Sequence, residues 1–143
     1  MSIIRLDSQL YDELVQYAKD HLPEEACGLI AGEEEGENKV IKKIYFLENI
    51  DHAEDHFTMG PKDQLSAIKD MRTNGYKVLG NWHSHPSSPS RPSVEDIRLA
   101  YDKNASYMIL SFLTAAPVIN SFHIEEGSFE KEDLRIFNEE YYF

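Results

Sequence analysis

Tyr76-Lys77-Val78-Leu79-Gly80-Asn81-Trp82-His83-Ser84-His85-Pro86-Ser87-Ser88-Pro89-Ser90-Arg91-Pro92-Ser93-Val94-Glu95-Asp96 is the stretch on which the reading of this chain turns. Residues 76–83 carry the aliphatic and aromatic side chains of a strand. Residues 87–92 are serine and proline around one arginine, a run that cannot be regular, and residues 94–101 read as a short helix. In extended backbone, side chains two apart project to the same side, so His83 and His85 aim both imidazoles at one point. Trp82 alternates with them and is expected to point the opposite way, into the core. The proline-stiffened loop from Pro86 to Pro92 turns the chain back, so that the next helix can present Asp96 toward the same point. Two nitrogens and one oxygen with a fourth position open form the donor set of catalytic zinc, whereas a structural site would close all four corners.

Each of these residues also has a plainer reading. Isolated histidines commonly serve as satisfied core or surface groups. Ser93-x-x-Asp96 resembles a helix capping box with Asp in place of the usual Glu or Gln. The last two roles are compatible, because a helix start fixes the direction of Asp96 and leaves its carboxylate free to coordinate.

Working outward, residues 9–21 place Leu10, Leu14, Val15, Tyr17, Ala18 and Leu22 at helical spacing, with Asp7 or Ser8 able to cap the start. Residues 1–7 move into that amphipathic pattern with early acids. Pro23 interrupts it, residues 26–32 read as a short buried strand, and Glu25 sits at the junction. The acid run 33–38 reads as a solvated turn joining that strand to a second over 40–47 in a hairpin. Residues 49–57 read as a loop carrying His52 and His56, which could border a substrate groove. Pro61 opens a second helix, with Leu65, Ile68 and Met71 on one face and Asn74-Gly75 at its end. Residues 107–113 and 118–124 read as strands. The tail 130–143 reads as a docking helix or strand, with Tyr141, Tyr142 and Phe143 packing on their own domain. Strands interleaved with helices, without repeats or linkers, give one domain over 1–143, an α/β/α sandwich around a mixed sheet.

Composition narrows the function classes. The 143 residues are 41% hydrophobic and 28% charged, and 26 acids against 14 bases give a net charge of −12. A surface of that sign repels phosphate backbones, so nucleic acid is not expected as a partner. No basic leader precedes an apolar segment, and no apolar run approaches the roughly 18 residues of a membrane helix. The single cysteine, Cys27, excludes an internal disulfide framework, so a cytoplasmic protein with no membrane partner is expected. Cys27 reads as a small buried hydrophobe.

Zinc hydrolysis of an amide also needs a base that touches the water without binding the metal. The candidate is Glu25 in Pro23-Glu24-Glu25-Ala26-Cys27-Gly28, although adjacent glutamates after a proline are ordinarily surface residues. Glu25-Ala26-Cys27-Gly28-Leu29, then Gly80-x-x-His83-Ser84-His85-Pro86, then Ser93-x-x-Asp96 together resemble the JAMM (MPN-plus) metalloprotease motif: a glutamate, His-x-His, ten residues and Asp. The resemblance runs from Glu25 to Asp96, with Phe57 and Pro61 resembling the stretch between the motif halves, and the Glu-x-Cys-Gly register selects Glu25 over Glu24.

The resemblance implies the MPN/JAB1, cytidine-deaminase-like fold with a partly curled sheet. It implies one Zn2+ held by His83, His85 and Asp96, with Glu25 as general acid/base and Ser93 stabilising the oxyanion. It further implies hydrolysis of peptide or isopeptide bonds at the C-terminal tail of a ubiquitin-like or sulfur-carrier protein, bound as an added strand. The chain is similar to the compact prokaryotic forms, with little room for a large insertion after Asp96. Two other readings remain: a non-catalytic scaffold of the same fold, whose relatives lose the ligands, and an iron(II) oxygenase built on two histidines and a carboxylate.

Overall fold

The computed structural model describes residues 2–138, and the expectation for Tyr141, Tyr142 and Phe143 lies outside that range. The elements run β1 (Ile3–Asp7), α1 (Ser8–His21), β2 (Cys27–Glu35), β3 (Asn38–Leu47), α2 (Pro61–Thr73), β4 (Lys77–His85), α3 (Val94–Arg98), β5 (Ser106–Ser111), β6 (Val118–Glu125), β7 (Ser128–Lys131) and β8 (Asp133–Phe137). All eight strands join one mixed sheet in the order β7-β6-β5-β4-β2-β3-β1-β8. β7 and β8 are separated by Glu132 alone and yet stand at opposite ends of that order, so the sheet must bend back on itself. The seam is held where Glu132 N–H donates to the Ser121 carbonyl (2.9 Å), Ser121 Oγ to Glu132 Oε1 (2.7 Å) and Asp133 N–H to the Ser2 carbonyl (3.0 Å).

The two faces of the sheet are read from strand alternation. Ile30 joins Leu14 and Ala18 of α1, Trp82 of β4, Met108 and Leu110 of β5, and Ile4 and Leu6 of β1 in the main core, inside the curl. Leu29 and Ala31 pack on the other face against Ala67 and Met71 of α2. Ile97 and Ala100, in and just after α3, cover Ile109, Phe122 and Ile124 on β5 and β6. Helices on both faces make this an α/β/α arrangement. Each large side chain buried there is worth about 1.5–3 kcal/mol in removed apolar surface. No helix among the described residues is long and apolar enough to cross a membrane.

Several boundaries differ from those expected. Residues 3–7 form β1, which the sequence pattern did not reveal, because its partners, β8 and the start of β3, lie far along the chain. Asp7 closes that strand and caps α1, its carboxylate accepting from Gln9 N–H at 3.2 Å. The acid run is less a turn than a continuation: Glu33, Glu34 and Glu35 extend β2 in register with β3, and the chain turns at Gly36 (φ +62°). α3 stops at Arg98, short of the expected Tyr101. The tail supplies β7 and β8, and β8 runs parallel to β1.

Candidate active site

β4 is a central strand, antiparallel to β2 and parallel to β5, and its C-terminal end delivers His83 and His85 to the α2 face while Trp82 goes to the core. The two imidazoles are 3% and 4% exposed. Their Nε2 atoms stand 3.0 Å apart, and each is 3.2 Å from Asp96 Oδ2. His85 Nδ1 lies 2.8 Å from the Pro89 carbonyl and must donate to it, which leaves Nε2 of the neutral ring with a lone pair facing the cluster. Three electron-rich atoms held this close need a cation or shared protons between them. For ligand bonds of about 2.0–2.1 Å, the corners of a zinc tetrahedron are about 3.3 Å apart, so this triangle fits one face of such a centre. Among the described residues, His83, His85 and Asp96 are the group able to hold a metal ion.

The loop that returns the chain to this point is irregular but pinned. Ser90 Oγ donates to the Ile109 carbonyl (2.6 Å), Ser111 Oγ to the Ser88 carbonyl (2.6 Å), and Asn120 Nδ2 to the Ser90 carbonyl (3.1 Å). Ser93 then caps α3 with the expected box: Ser93 Oγ accepts from Asp96 N–H at 3.0 Å and Asp96 Oδ2 from Ser93 N–H at 2.9 Å. The same Oδ2 that closes the box faces both imidazoles. Burial favours the neutral acid, but the His83 and His85 imidazoles set against it outweigh that and hold the Asp96 carboxyl far below the usual range. At His83, burial dominates and lowers the imidazole pKa; at His85, burial also acts downward, but Asp96 and the Pro89 carbonyl raise it. Because Ser93 Oγ spends a lone pair on Asp96 N–H, its hydroxyl proton is free to donate outward.

Glu25 lies two residues before β2, beside the end of β4. It is 5% exposed, and its Oε1 has no hydrogen-bond partner among the described residues. Burial pushes its carboxyl pKa up to about 8; His85 pulls downward, and Asp96, Asp55 and Glu95 add to the rise. Its backbone is tied on every side. Glu25 N–H donates to the Ala53 carbonyl (2.8 Å), and its own carbonyl accepts from Asn49 Nδ2 (3.0 Å). The next residue, Ala26, gives its N–H to Ser84 Oγ (2.8 Å) and accepts Ser84 N–H (2.9 Å). The residue between the two histidines thus sets the height of the glutamate segment against them. Neither Ser84 nor Asn49 stood out in the sequence; the one available signal was the position of Ser84 inside His-x-His.

Gly28 is required by contact rather than flexibility. A Cβ there would meet the Tyr45 carbonyl oxygen at 1.7 Å, in the space through which Trp82 Nε1 donates to that oxygen at 3.1 Å. Cys27 is fully buried and its thiol pKa is pushed up to about 12 by burial, as befits a hydrophobe and not a nucleophile. Phe57 stacks on the His83 ring at 4.7 Å between centroids. Phe57, Leu99, Tyr107, Ile109 and Ile124, with Asn81, enclose a cavity of about 50 Å³ against His83 and Asp96. His52 and His56 do lie in the loop beside Glu25, but face carboxylates: His52 Glu24 (3.3 Å), His56 Asp55 (2.8 Å) and Asp51 (3.6 Å). His21 stacks on Tyr17, and His123 pairs with Glu125 and Glu130; neither joins the cluster.

The chain is similar to proteins already described. The CysO-cysteine peptidase of Mycobacterium tuberculosis is 27% identical over 137 residues, covering 94% of this chain and 90% of that one. The probable TtuB-protein conjugate cleaving protease of Thermus thermophilus is 27% identical over 119 residues, covering 80% and 74%. The solution structure of protein DSY2949 from Desulfitobacterium hafniense is 40% identical with a TM-score of 0.87, covering 96% and 94%. The family described as prokaryotic homologs of the JAB domain matches residues 7–125, a span that takes in Glu25, His83, His85, Ser93 and Asp96, and it is to this family that the chain belongs.

Proposed function

We propose that this protein is a zinc-dependent hydrolase that cleaves the peptide or isopeptide bond at the C-terminal tail of a ubiquitin-like or sulfur-carrier protein. The observation that carries the reading is the convergence of His83 Nε2, His85 Nε2 and Asp96 Oδ2 within 3.2 Å of one another beside a buried Glu25 whose Oε1 has no hydrogen-bond partner among the described residues. The names of the mycobacterial and Thermus relatives, a peptidase and a conjugate-cleaving protease, support both the reaction type and the substrate class.

His83, His85 and Asp96 would hold the ion. When bound, zinc supplies Lewis acidity that ionises water near neutral pH and polarises the scissile carbonyl. Glu25 takes the proton from the attacking water and passes it to the leaving amine; a carboxyl raised toward neutrality suits both halves of that task. Ser93 donates its free hydroxyl proton to the developing oxyanion, a contact worth about 2.7–4 kcal/mol when well placed. The fixed tautomer of His85 and the stack of Phe57 on His83 keep the ligand nitrogens aimed.

Elemental analysis of protein purified without added metal, beside a His83→Ala/His85→Ala variant, is the first test. About one zinc per chain in the native protein and none in the variant is expected. Tail conjugates of a ubiquitin-like and a sulfur-carrier protein are then offered to the zinc-loaded enzyme and to Glu25→Gln, which should retain metal and lose turnover. No metal even after zinc is supplied would return the chain to the scaffold reading, and iron with oxygen-dependent turnover would make it an oxygenase.

A further inference from the structure

Asn49 is 94% buried by its 6% exposure, and it spends its whole hydrogen-bonding capacity on one place. Nδ2 donates to the carbonyls of Glu25 (3.0 Å) and His56 (3.1 Å). Oδ1 accepts from the N–H groups of Asp51 (3.1 Å) and Thr58 (3.1 Å). Two carbonyls at one end and two N–H donors at the other fix the amide orientation by chemistry, and an amide can make no more bonds than these four.

We infer that Asn49 is a positioning residue that sets the general base against the metal ligands. Three arms leave it. One holds the Glu25 carbonyl directly. A second shapes the loop that returns the Ala53 carbonyl to Glu25 N–H at 2.8 Å, so both backbone groups of Glu25 depend on this one side chain and its loop. The third pins His56 and Thr58, and Phe57 between them lies on the His83 ring. A stapled surface loop would need only the contacts to Asp51, His56 and Thr58; the bond to Glu25 is the one that such a role leaves unexplained. Misplacing a catalytic group by about 1 Å costs on the order of 10²-fold in rate, so the effect should appear in kcat rather than KM. This inference rests on the proposed role of Glu25.

Asn49→Asp keeps both acceptor contacts and turns a carboxylate oxygen toward the two carbonyls. Wild type, Asn49→Asp, Glu25→Gln, their double variant and Thr58→Val are compared, zinc-loaded, on a sulfur-carrier protein joined through its C-terminal carboxyl to a reporter lysine. Thr58→Val removes only the 2.6 Å bond from Thr58 Oγ1 to Asp51 and controls for loop stapling. Expected for Asn49→Asp are full zinc content, a kcat lower by about 10²-fold with little change in KM, and almost no further loss when it is added to Glu25→Gln. Hydrogen exchange at the Glu25 amide should accelerate at least about tenfold while the β4 amides stay protected. An unchanged Glu25 exchange rate, additive losses, or an equal kcat loss in Thr58→Val would overturn the inference. Turnover by Glu25→Gln would instead sink the assignment of the base, and the exchange rate would still decide whether Asn49 holds that segment. Should Asn49→Asp not fold, Asn49→Ser, with one donor left, is read by the same measurements.

Discussion

Removing the charge of Glu25 should make the metal-free protein more stable at alkaline pH, by an amount that the burial of that carboxyl sets. Its folded pKa is pushed up to about 8 from an ordinary 4.5. Below pH 4.5 the group is protonated in both states, and the folded form carries no penalty. Between 4.5 and 8 the unfolded chain releases the proton and the folded chain keeps it, so stability falls by about 1.4 kcal/mol per pH unit. Above 8 both states are ionised and the loss is complete; about 3.5 pH units at 1.36 kcal/mol each amount to about 5 kcal/mol. Glu25→Gln, isosteric with the neutral acid, should match wild type near pH 4.5 and exceed it by up to about 5 kcal/mol at pH 9. At about 2–4 °C per kcal/mol, that is a difference in Tm of about 10–20 °C. Urea or thermal unfolding in the presence of a chelator measures it, and titrating groups that do not interact with Glu25 cancel in the comparison. Saturating zinc should shrink the gap, because a cation beside Glu25 favours the carboxylate form. Parallel pH profiles for the two metal-free proteins would refute the reasoning.

Asp96→Asn should reduce zinc affinity by well over tenfold, since it removes the anionic ligand; competition against a chromophoric chelator reads it, and unchanged affinity would remove Asp96 from the ligand set. Ser84→Ala strands the buried Ala26 N–H and should cost about 1–3 kcal/mol in urea unfolding. Gly28→Ala drives a methyl into the Tyr45 carbonyl and should yield little folded protein, as circular dichroism of the soluble fraction would show. Adding zinc at about 1,000 times its Kd should stabilise the native protein by about 4 kcal/mol, an increment that the His83→Ala/His85→Ala variant should lack in calorimetry.

Local pattern alone picked out the three residues, His83, His85 and Asp96, that the fold brings together. His83 and His85 share a strand face because side chains alternate, and Asp96 is aimed because Ser93 caps a helix; both signals lie within four residues and need no tertiary partner. The same kind of signal marked α1, α2 and the β2–β3 hairpin, whose apolar spacing is long and regular. β1 escaped it because its alternation runs for only five residues before the helix begins, and its strand character comes from pairing with β8, some 130 positions along the chain. Tertiary structure alone decided that the sheet closes on itself through Glu132, that a glutamate with the composition of a surface residue is buried and raised in pKa, and that Asn49 and Ser84 hold its backbone. The physical reason is common to all three. Burial and hydrogen-bond partnership are properties of what lies across the fold, and residues such as Asn49, which act through saturation of four bonds to distant groups, leave no periodic trace in the order of the chain.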